Sequence, residues 1–345
     1  MQTHVTGKSA ILALLIVLGF FTSWELYLRH KGIKPDYDDS PELWAHTRAM
    51  VYEPSDKATV FIGSSRIKYD LDIPTWESLT HTHAIQLAMV GSTPRPLLAD
   101  LANDPKFKGK LVVDITEILF FSDVPYFQAK PGAGIEYYKK QTPAQKVSFE
   151  LDKPLESRLV FLNSEFFSIN GMLDHLLIKD RPGVYPFLNF PLDFQLTMVN
   201  RQNKMTPRFV ADTNLQKQVE GIWAMIGKAP LPPPITGKPL DDFLQSVKAD
   251  VDKIKARGGD VIFVRTPSNP PMFMGESKGY PRKLYWDRIL STTGCKGVYF
   301  ADYPATANLK CTEWSHLSPQ NAVVYTNALV NILEKEKGWT FNSAQ

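Results

Sequence analysis

The stretch Ala58-Thr-Val-Phe-Ile-Gly-Ser-Ser-Arg66 sets the expectation for the fold, because a short apolar run stops at a glycine and two serines. β-Branched and aromatic residues in a run of this length are typical of a buried strand. Open α/β sheets bind ligands at the carboxyl ends of their strands, which is where Ser64 and Ser65 would lie. Gly-Ser-Ser is also ordinary turn and helix-capping sequence. Ser65 is therefore either a nucleophile or a capping residue.

Four similar runs follow this stretch, and each ends in small or polar residues. They predict strands at residues 84–89, 110–116, 260–264 and 297–300, with helices at 41–51, 96–103, 240–257, 280–292 and 318–334, and another beginning near residue 73. The alternation predicts a three-layer α/β/α domain over residues 58–345, built on a five-stranded parallel sheet.

The alternation breaks down between about residues 119 and 240, where aromatic residues and prolines are frequent. We interpret this part as a long helical insertion after the third strand that forms a wall over the site. Its aromatic residues, such as Phe187, Phe190 and Phe194, also fit an ordinary core.

Composition and motifs argue against several classes of protein. A chain of 345 residues with 43% hydrophobic content can bury a sizeable core, and a net charge of +3 without a basic cluster argues against a nucleic-acid partner. His81 and His83 lack cysteine or carboxylate neighbours at metal-ligand spacing, and no glycine-rich phosphate motif is present. We expect neither a metal nor a cofactor.

The amino terminus predicts a membrane anchor. Residues 9–28 are almost entirely apolar, about one membrane span, and no Ala-x-Ala-like cleavage site follows them. We assign residues 1–31 to the anchor and its flank, and residues 32–57 to a linker with a short helix.

The sequence gives conflicting signals for the side of the membrane on which the folded domain lies. Arg29, Lys31 and Lys34 after the span outnumber Lys8 before it, which favours a cytoplasmic domain. Long domains, however, translocate largely regardless of such charges, and Cys295 and Cys311 would form a disulfide in an oxidising compartment. We expect an extracytoplasmic domain; two unrelated buried thiols are the alternative for the cysteines.

Glu313-Trp-Ser-His316 supplies the partners that a reactive serine needs. A serine needs a base to accept its proton, and the base needs a carboxylate to fix its tautomer. The predicted topology brings this loop to the sheet edge that also carries Gly91, Ser92, Thr116 and Arg265. His316 and Glu313 also fit a helix cap and a solvated loop carboxylate. Arg66 and Arg265 would either bind an anionic substrate or pair with Asp114 or Glu117.

Gly63-Ser64-Ser65, Gly91 and Glu313-x-x-His316-Leu317 together resemble the pattern of the SGNH (GDSL-like) hydrolases. The resemblance covers the core from about residue 58 to 334 and implies a flavodoxin-like fold. It implies Ser65 as nucleophile, His316 as general base and Glu313 as orienting carboxylate. The backbone amides of Ser65 and Gly91 would form the oxyanion hole.

The sequence departs from that pattern at three places. Ser64 and Glu313 stand where aspartates are usual, and Asp114-Ile-Thr-Glu117 replaces the motif that carries an asparagine oxyanion donor. Loss of one such donor typically costs about a hundredfold or more in rate.

The anchor adds a more specific expectation. Single-span SGNH-like proteins resemble accessory proteins of envelope-polysaccharide acyl transfer, which work beside a multispanning acyltransferase. The resemblance implies transfer of an acetyl or similar group to a glycan. The alternatives are an esterase that releases the acyl group to water and a non-catalytic scaffold that binds a glycan or a membrane partner.

Overall fold

A parallel five-stranded sheet forms the centre of the protein. The computed structural model describes residues 2–167, 173, 190–228, 230 and 232–341. In chain order the strands of this sheet are β1 (Ala58–Ile62), β2 (His83–Gln86), β3 (Lys110–Asp114), β6 (Asp260–Arg265) and β7 (Lys296–Tyr299), and a separate antiparallel pair consists of β4 (Leu196–Thr197) and β5 (Asn203–Lys204). The prediction of an α/β fold with five parallel strands is confirmed, and the predicted strand ends match or differ by up to three residues.

The strands lie in the order β2-β1-β3-β6-β7, which is the flavodoxin-like order of doubly wound sheets. The order reverses between β1 and β3, so the carboxyl ends of these two strands form the point where such sheets bind ligands. The residues after β1 and β3 therefore lie where a functional site is expected.

Side chains alternate between the two faces of the sheet and build two cores. Val60, Val113 and Phe263 point into one cluster, and Phe61 and Val112 point into the other. The first face is covered by the helices Arg95–Asn103, Gly237–Ala256 and Trp286–Thr293, and the second by Ile73–Thr80 and Pro319–Lys335.

Local sequence explains the helix ends near the sheet. Ser318 caps the last helix by accepting a hydrogen bond from Asn321 N at 3.2 Å, as its position before Pro319 predicts. The helix predicted at 280–292 begins only at Trp286 and ends at Thr293, and a separate helix that was not predicted, Met272–Gly279, ends just before Pro281. The described α-helices are Gln2–His30, Pro41–Ala49, Ser65–Asp70, Ile73–Thr80, Arg95–Asn103, Glu117–Phe120, Pro125–Lys140, Pro143–Glu156, Ser164–Phe167, Pro207–Ala211, Thr213–Ile226, Gly237–Ala256, Met272–Gly279, Trp286–Thr293, Pro304–Ala307 and Pro319–Lys335.

The segment between β3 and β6 contains helices and the β4–β5 pair. Phe194, Phe209 and Val219 of this segment are buried in a third cluster together with Tyr69 from beside the sheet. Phe187, named above as a residue of the insertion, lies outside the described residues. The helical insertion stays a prediction over its full length.

One described helix is long and apolar enough to cross a membrane. Its candidate span is Gly7–His30, with a mean hydropathy of 2.0 and large exposed side chains such as Ile11 and Phe20. Near its end, Glu25 is buried and accepts hydrogen bonds from Val160 N and Phe161 N, both at 3.1 Å. The folded domain is thus attached directly to the last turns of this helix.

Cys295 and Cys311 do not form the disulfide expected in an oxidising compartment. Both are free thiols. Cys295 precedes β7 and packs into the core on one face of the sheet, whereas Cys311 follows β7 and packs against the core on the other face. The sheet separates the two sulfur atoms, so the alternative of two unrelated thiols is correct.

Gly63 is required by a close approach of two strand ends. A Cβ atom at this position would lie 2.7 Å from Asp114 Cβ and 2.7 Å from Ile67 Cγ2. We expect Gly63→Ala to lower the free energy of unfolding by about 1 to 3 kcal/mol, as overpacking does. The measurement is denaturant unfolding of the full chain in detergent.

Gly221→Ala is the matched control, because nothing lies within 4 Å of a Cβ at this helical glycine. Alanine is the better helix former, so this variant should be neutral or more stable by up to about 1 kcal/mol. Equal effects of the two substitutions would contradict the steric explanation.

Candidate active site

Ser65 is presented to solvent by an otherwise buried stretch. It is the first residue of the short helix Ser65–Asp70, directly after β1 and Gly63-Ser64. Every residue from 58 to 73 except Ser65 is buried. Within residues 58–73, the local fold therefore exposes only Ser65, at the carboxyl edge of the sheet.

A tight turn before the last helix carries Glu313 and His316. Thr312 N donates to His316 O at 2.8 Å, and His316 N donates to Glu313 Oε1 at 2.8 Å, so the carboxylate closes the turn in which the histidine lies. Trp314, between them, adopts φ +75°, a left-handed conformation that is unusual for a tryptophan. Glu313 and His316 are 0% and 1% exposed.

The three predicted catalytic side chains form one continuous chain of hydrogen bonds. His316 Nε2 lies 2.9 Å from Ser65 Oγ, and His316 Nδ1 lies 2.7 Å from Glu313 Oε1. A buried carboxylate at Nδ1 favours the tautomer that carries its proton there, which leaves Nε2 free to accept the serine proton. The geometry meets the requirement for a serine activated by an oriented base.

Aromatic rings from two parts of the chain surround His316. The ring of Tyr69, on the helix of Ser65, has its centroid 4.6 Å from that of His316. Phe194 and Trp223, from the segment between β3 and β6, lie 5.7 and 5.9 Å away. Trp223 also donates its indole N–H to Glu313 Oε2, so both carboxylate oxygens have a partner.

Arg66 and Arg265 lie in a buried network of ion pairs, which fits the structural alternative for these residues rather than binding of an anionic substrate. Glu276 pairs with both guanidinium groups, and Glu117 pairs with Arg265, Oε1 to Nε at 3.0 Å. Arg66 and Arg265 are 2% and 0% exposed. Burial alone would raise the pKa of Glu276, but the two arginines outweigh burial and lower this pKa to about 2.

This network connects the two halves of the site. Arg66 follows the nucleophile in sequence, and its Nε donates to Ser315 Oγ at 3.2 Å, inside the Glu313–His316 turn. Asp70, at the end of the same short helix, accepts a hydrogen bond from Leu317 N at 2.9 Å. Ser65 and His316 are thus held together from both sides.

The remaining predicted residues of the site have different positions. Ser64 and Ser92 are buried, with Ser64 Oγ 2.7 Å from Thr116 Oγ1 and Ser92 Oγ donating to Val90 O at 3.2 Å. Gly91 is exposed and adopts φ +65°, which suits a glycine. Ser64 and Ser92 therefore stabilise turns, while the Gly91 amide stays a candidate oxyanion donor.

The loop after β3 carries no asparagine donor. Thr116 is bonded to Ser64, and Glu117 is paired with Arg265. Asp114 is 0% exposed and accepts hydrogen bonds from Thr266 Oγ1 at 3.0 Å and Thr266 N at 3.4 Å. Burial raises the pKa of Asp114 from 3.8 to about 6 despite Arg66 and Thr266, which favour the charged form.

Sequence reasoning missed Trp223, Glu276 and Asp70. Trp223 had no motif around it and lies in the segment where the strand and helix pattern was lost. Glu276 offered one indirect signal, since two arginines placed near one buried sheet edge require more than one carboxylate. Asp70 lies within the helix that follows Ser65 and looked like an ordinary polar residue there.

Comparison with known proteins adds no identification. No protein-family model matches the chain, and no curated protein shows significant similarity to it. The assignment of the site therefore depends on its own geometry.

Trp223→Phe tests the contribution of the insertion to the site. The variant keeps an aromatic ring but leaves Glu313 Oε2 buried without its donor, which should cost about 1 to 3 kcal/mol of stability. We also expect Ser65 to react about tenfold or more slowly with a serine-directed reagent, because Glu313 and His316 lose part of their orientation.

Trp286→Phe, at a buried tryptophan on the far side of the sheet, is the control for loss of an indole. It should leave the reaction rate of Ser65 unchanged. A wild-type reaction rate in Trp223→Phe would show that the indole does not position the carboxylate.

Asp114→Asn tests the buried carboxyl group beside Gly63. Because the folded pKa of about 6 lies above the ordinary 3.8, the folded state binds this proton more tightly than the unfolded state. The contribution of Asp114 to the free energy of unfolding is therefore complete below pH 4. It decreases by about 2 to 3 kcal/mol as the pH rises to about 6.

Asparagine keeps the acceptor for Thr266 and has no proton to lose. The difference in unfolding free energy between wild type and Asp114→Asn should therefore change with pH between about 4 and 7, in favour of the variant at the higher pH. Parallel pH profiles for the two proteins, measured by denaturant unfolding, would refute the assignment.

Proposed function

We propose that this protein is a membrane-anchored serine enzyme of SGNH type that transfers acyl groups through an acyl-serine intermediate. The observation that carries the proposal is the chain Ser65 Oγ–His316 Nε2–Glu313, with distances of 2.9 and 2.7 Å. Ser65 lies 251 positions before His316, and Glu313 three positions before it, yet the three meet in the order that serine catalysis requires.

The residues present support a two-step reaction. Ser65 Oγ attacks the carbonyl carbon of an acyl ester while its proton passes to His316 Nε2. The tetrahedral intermediate collapses, the leaving alcohol takes that proton, and the acyl group stays on Ser65. An acceptor hydroxyl then attacks the acyl-serine in the reverse sense, with His316 again moving the proton.

The oxyanion of each step requires donors at the sheet edge. The amide of Ser65, as the first residue of a helix, has no acceptor within that helix, and the amide of Gly91 is the second candidate. The third donor of the family pattern is missing. We infer slow turnover and an acyl-serine that persists until a suitable acceptor arrives.

We propose an envelope glycan as the acceptor, an acetyl or similar group as cargo, and a multispanning acyltransferase as the partner that supplies it. The candidate membrane span and the missing third oxyanion donor support this scheme, in which the domain lies outside the cytoplasm. An esterase would share the acylation of Ser65 and then use water as the acceptor. A non-catalytic scaffold would carry out neither step.

A fluorophosphonate probe tests the proposal directly. It should form an adduct on Ser65 of the folded full-length protein and none in Ser65→Ala. Ser64→Ala, at the adjacent buried serine, is the matched control and should keep the adduct. Glu313→Gln and His316→Ala should slow labelling by about a hundredfold or more, since orientation and proton transfer are worth at least this much.

Absence of an adduct under conditions where a control esterase reacts would rule out the enzyme and favour the scaffold. Given an adduct, release of acetate from an aryl acetate separates the remaining alternatives. Release that depends on an added oligosaccharide supports transfer, whereas equal release without it supports an esterase.

A further inference from the structure

The helix Pro143–Glu156 has an apolar face that no described part of the chain covers. Val147, Leu151 and Leu155 recur every four residues and are 60%, 67% and 49% exposed. Residues spaced by four lie above one another on the same side of a helix. Isolated exposed apolar residues are common, but three in line form a patch.

The opposite side of this helix already packs against the protein. Phe149 is buried, and its ring lies 5.1 Å from the ring of His46 on the helix Pro41–Ala49. The helix therefore has one face for the core of the domain, and the patch is a second apolar face on its opposite side.

The patch continues onto the end of the candidate membrane span. The segment just after the helix is attached to that span, because Arg29 donates to Arg158 O and Glu25 accepts hydrogen bonds from Val160 N and Phe161 N. The ring of Phe161 lies 5.1 Å from that of Phe21, inside the apolar run.

These contacts set the height of the helix relative to a membrane. Phe21 lies about 13 Å before the end of the span, taking about 1.5 Å per residue. Phe161 therefore reaches to the depth of the lipid interface. Leu155 lies near this point because a closed turn joins the two: Leu155 O accepts hydrogen bonds from Arg158 N and Leu159 N, both at 2.9 Å.

We propose that the helix Pro143–Glu156 lies in the surface of the bilayer that the anchor crosses, with Val147, Leu151 and Leu155 buried among the lipids. Amphipathic helices bind membranes in this way, with the apolar face about 5–10 Å into the headgroup boundary. This proposal requires the anchor to span a membrane but does not depend on the proposed chemistry at Ser65.

Charge indicates which lipids are needed. From Pro143 to Arg158 the basic residues Lys146, Lys153 and Arg158 stand beside the acidic residues Glu150, Asp152 and Glu156. Burial and the nearby carboxylates of Asp38 and Asp152 raise the pKa of Glu156 to about 8, so the segment carries about one net positive charge at neutral pH. One charge adds little attraction to anionic lipid, so the contact should form on zwitterionic lipid and depend little on salt.

The test places an environment-sensitive fluorophore on Leu151→Cys in the full-length protein, reconstituted in phosphatidylcholine vesicles. Cys295 is buried and burial raises the pKa of the Cys311 thiol, so an exposed new thiol reacts first. Unsubstituted protein is the labelling blank. Ser291→Cys, on an exposed helix position far from the anchor, is the matched control.

We expect a nitroxide lipid quencher near the headgroups to reduce emission at position 151 by about half or more, and emission at 291 hardly at all. High salt should leave both results unchanged. Equal, weak quenching at both positions would overturn the proposal. Shielding of position 151 that does not respond to the quencher would also overturn it. Shielding that depends on protein density would then indicate a second copy, and shielding that does not would indicate another part of the same chain.

Discussion

The buried ion network around Glu276 is the constraint on which the site depends. Arg66 follows the candidate nucleophile, Arg265 ends β6, and Glu276 pairs with both. Removing one member would leave a buried charge unpaired, which typically costs about 3 to 5 kcal/mol. Because Arg66 also reaches Ser315, the network fixes the distance between Ser65 and His316. The same ion pairs therefore stabilise the sheet edge and set the geometry of the candidate triad.

The segment between β3 and β6 changes the environment of that triad. Phe194 and Trp223 place apolar surface against His316, and Trp223 adds a donor to Glu313. Excluding water lowers the local dielectric constant and strengthens each hydrogen bond in the chain. The same segment packs on the end of the candidate membrane span through Val160 and Phe161. One part of the chain thus contributes both to the site and to its attachment.

The sequence was most informative where local patterns decide the structure. The five strands, the cap at Ser318 and the turn from Glu313 to His316 all follow from short-range signals. The expectation that Ser65 meets His316 came instead from the predicted sheet topology and from the resemblance to the SGNH pattern. Trp223 had no motif around it and Glu276 gave only an indirect signal, and the tertiary fold alone brings them to their partners, 90 residues away for Trp223 and 210 and 11 residues away for Glu276. The predicted disulfide was wrong for the same reason, because the number of cysteines does not tell which face of the sheet each one occupies. Tertiary placement, rather than propensity, decided each of these cases.

The linker fixes the position of the site relative to the anchor. The linker is held to the domain: Asp39 pairs with Lys68 at 2.5 Å and with Arg201 at 2.7 Å, and Tyr37 N donates to Thr197 O at 2.9 Å. Lys68 lies on the helix of Ser65, and burial lowers its pKa to about 7 although Asp39 favours its charged form. A flexible linker would let Ser65 sample many heights above a membrane. A pinned linker gives it one, so in the proposed transfer reaction the acyl donor and its acceptor would both have to reach the same fixed point.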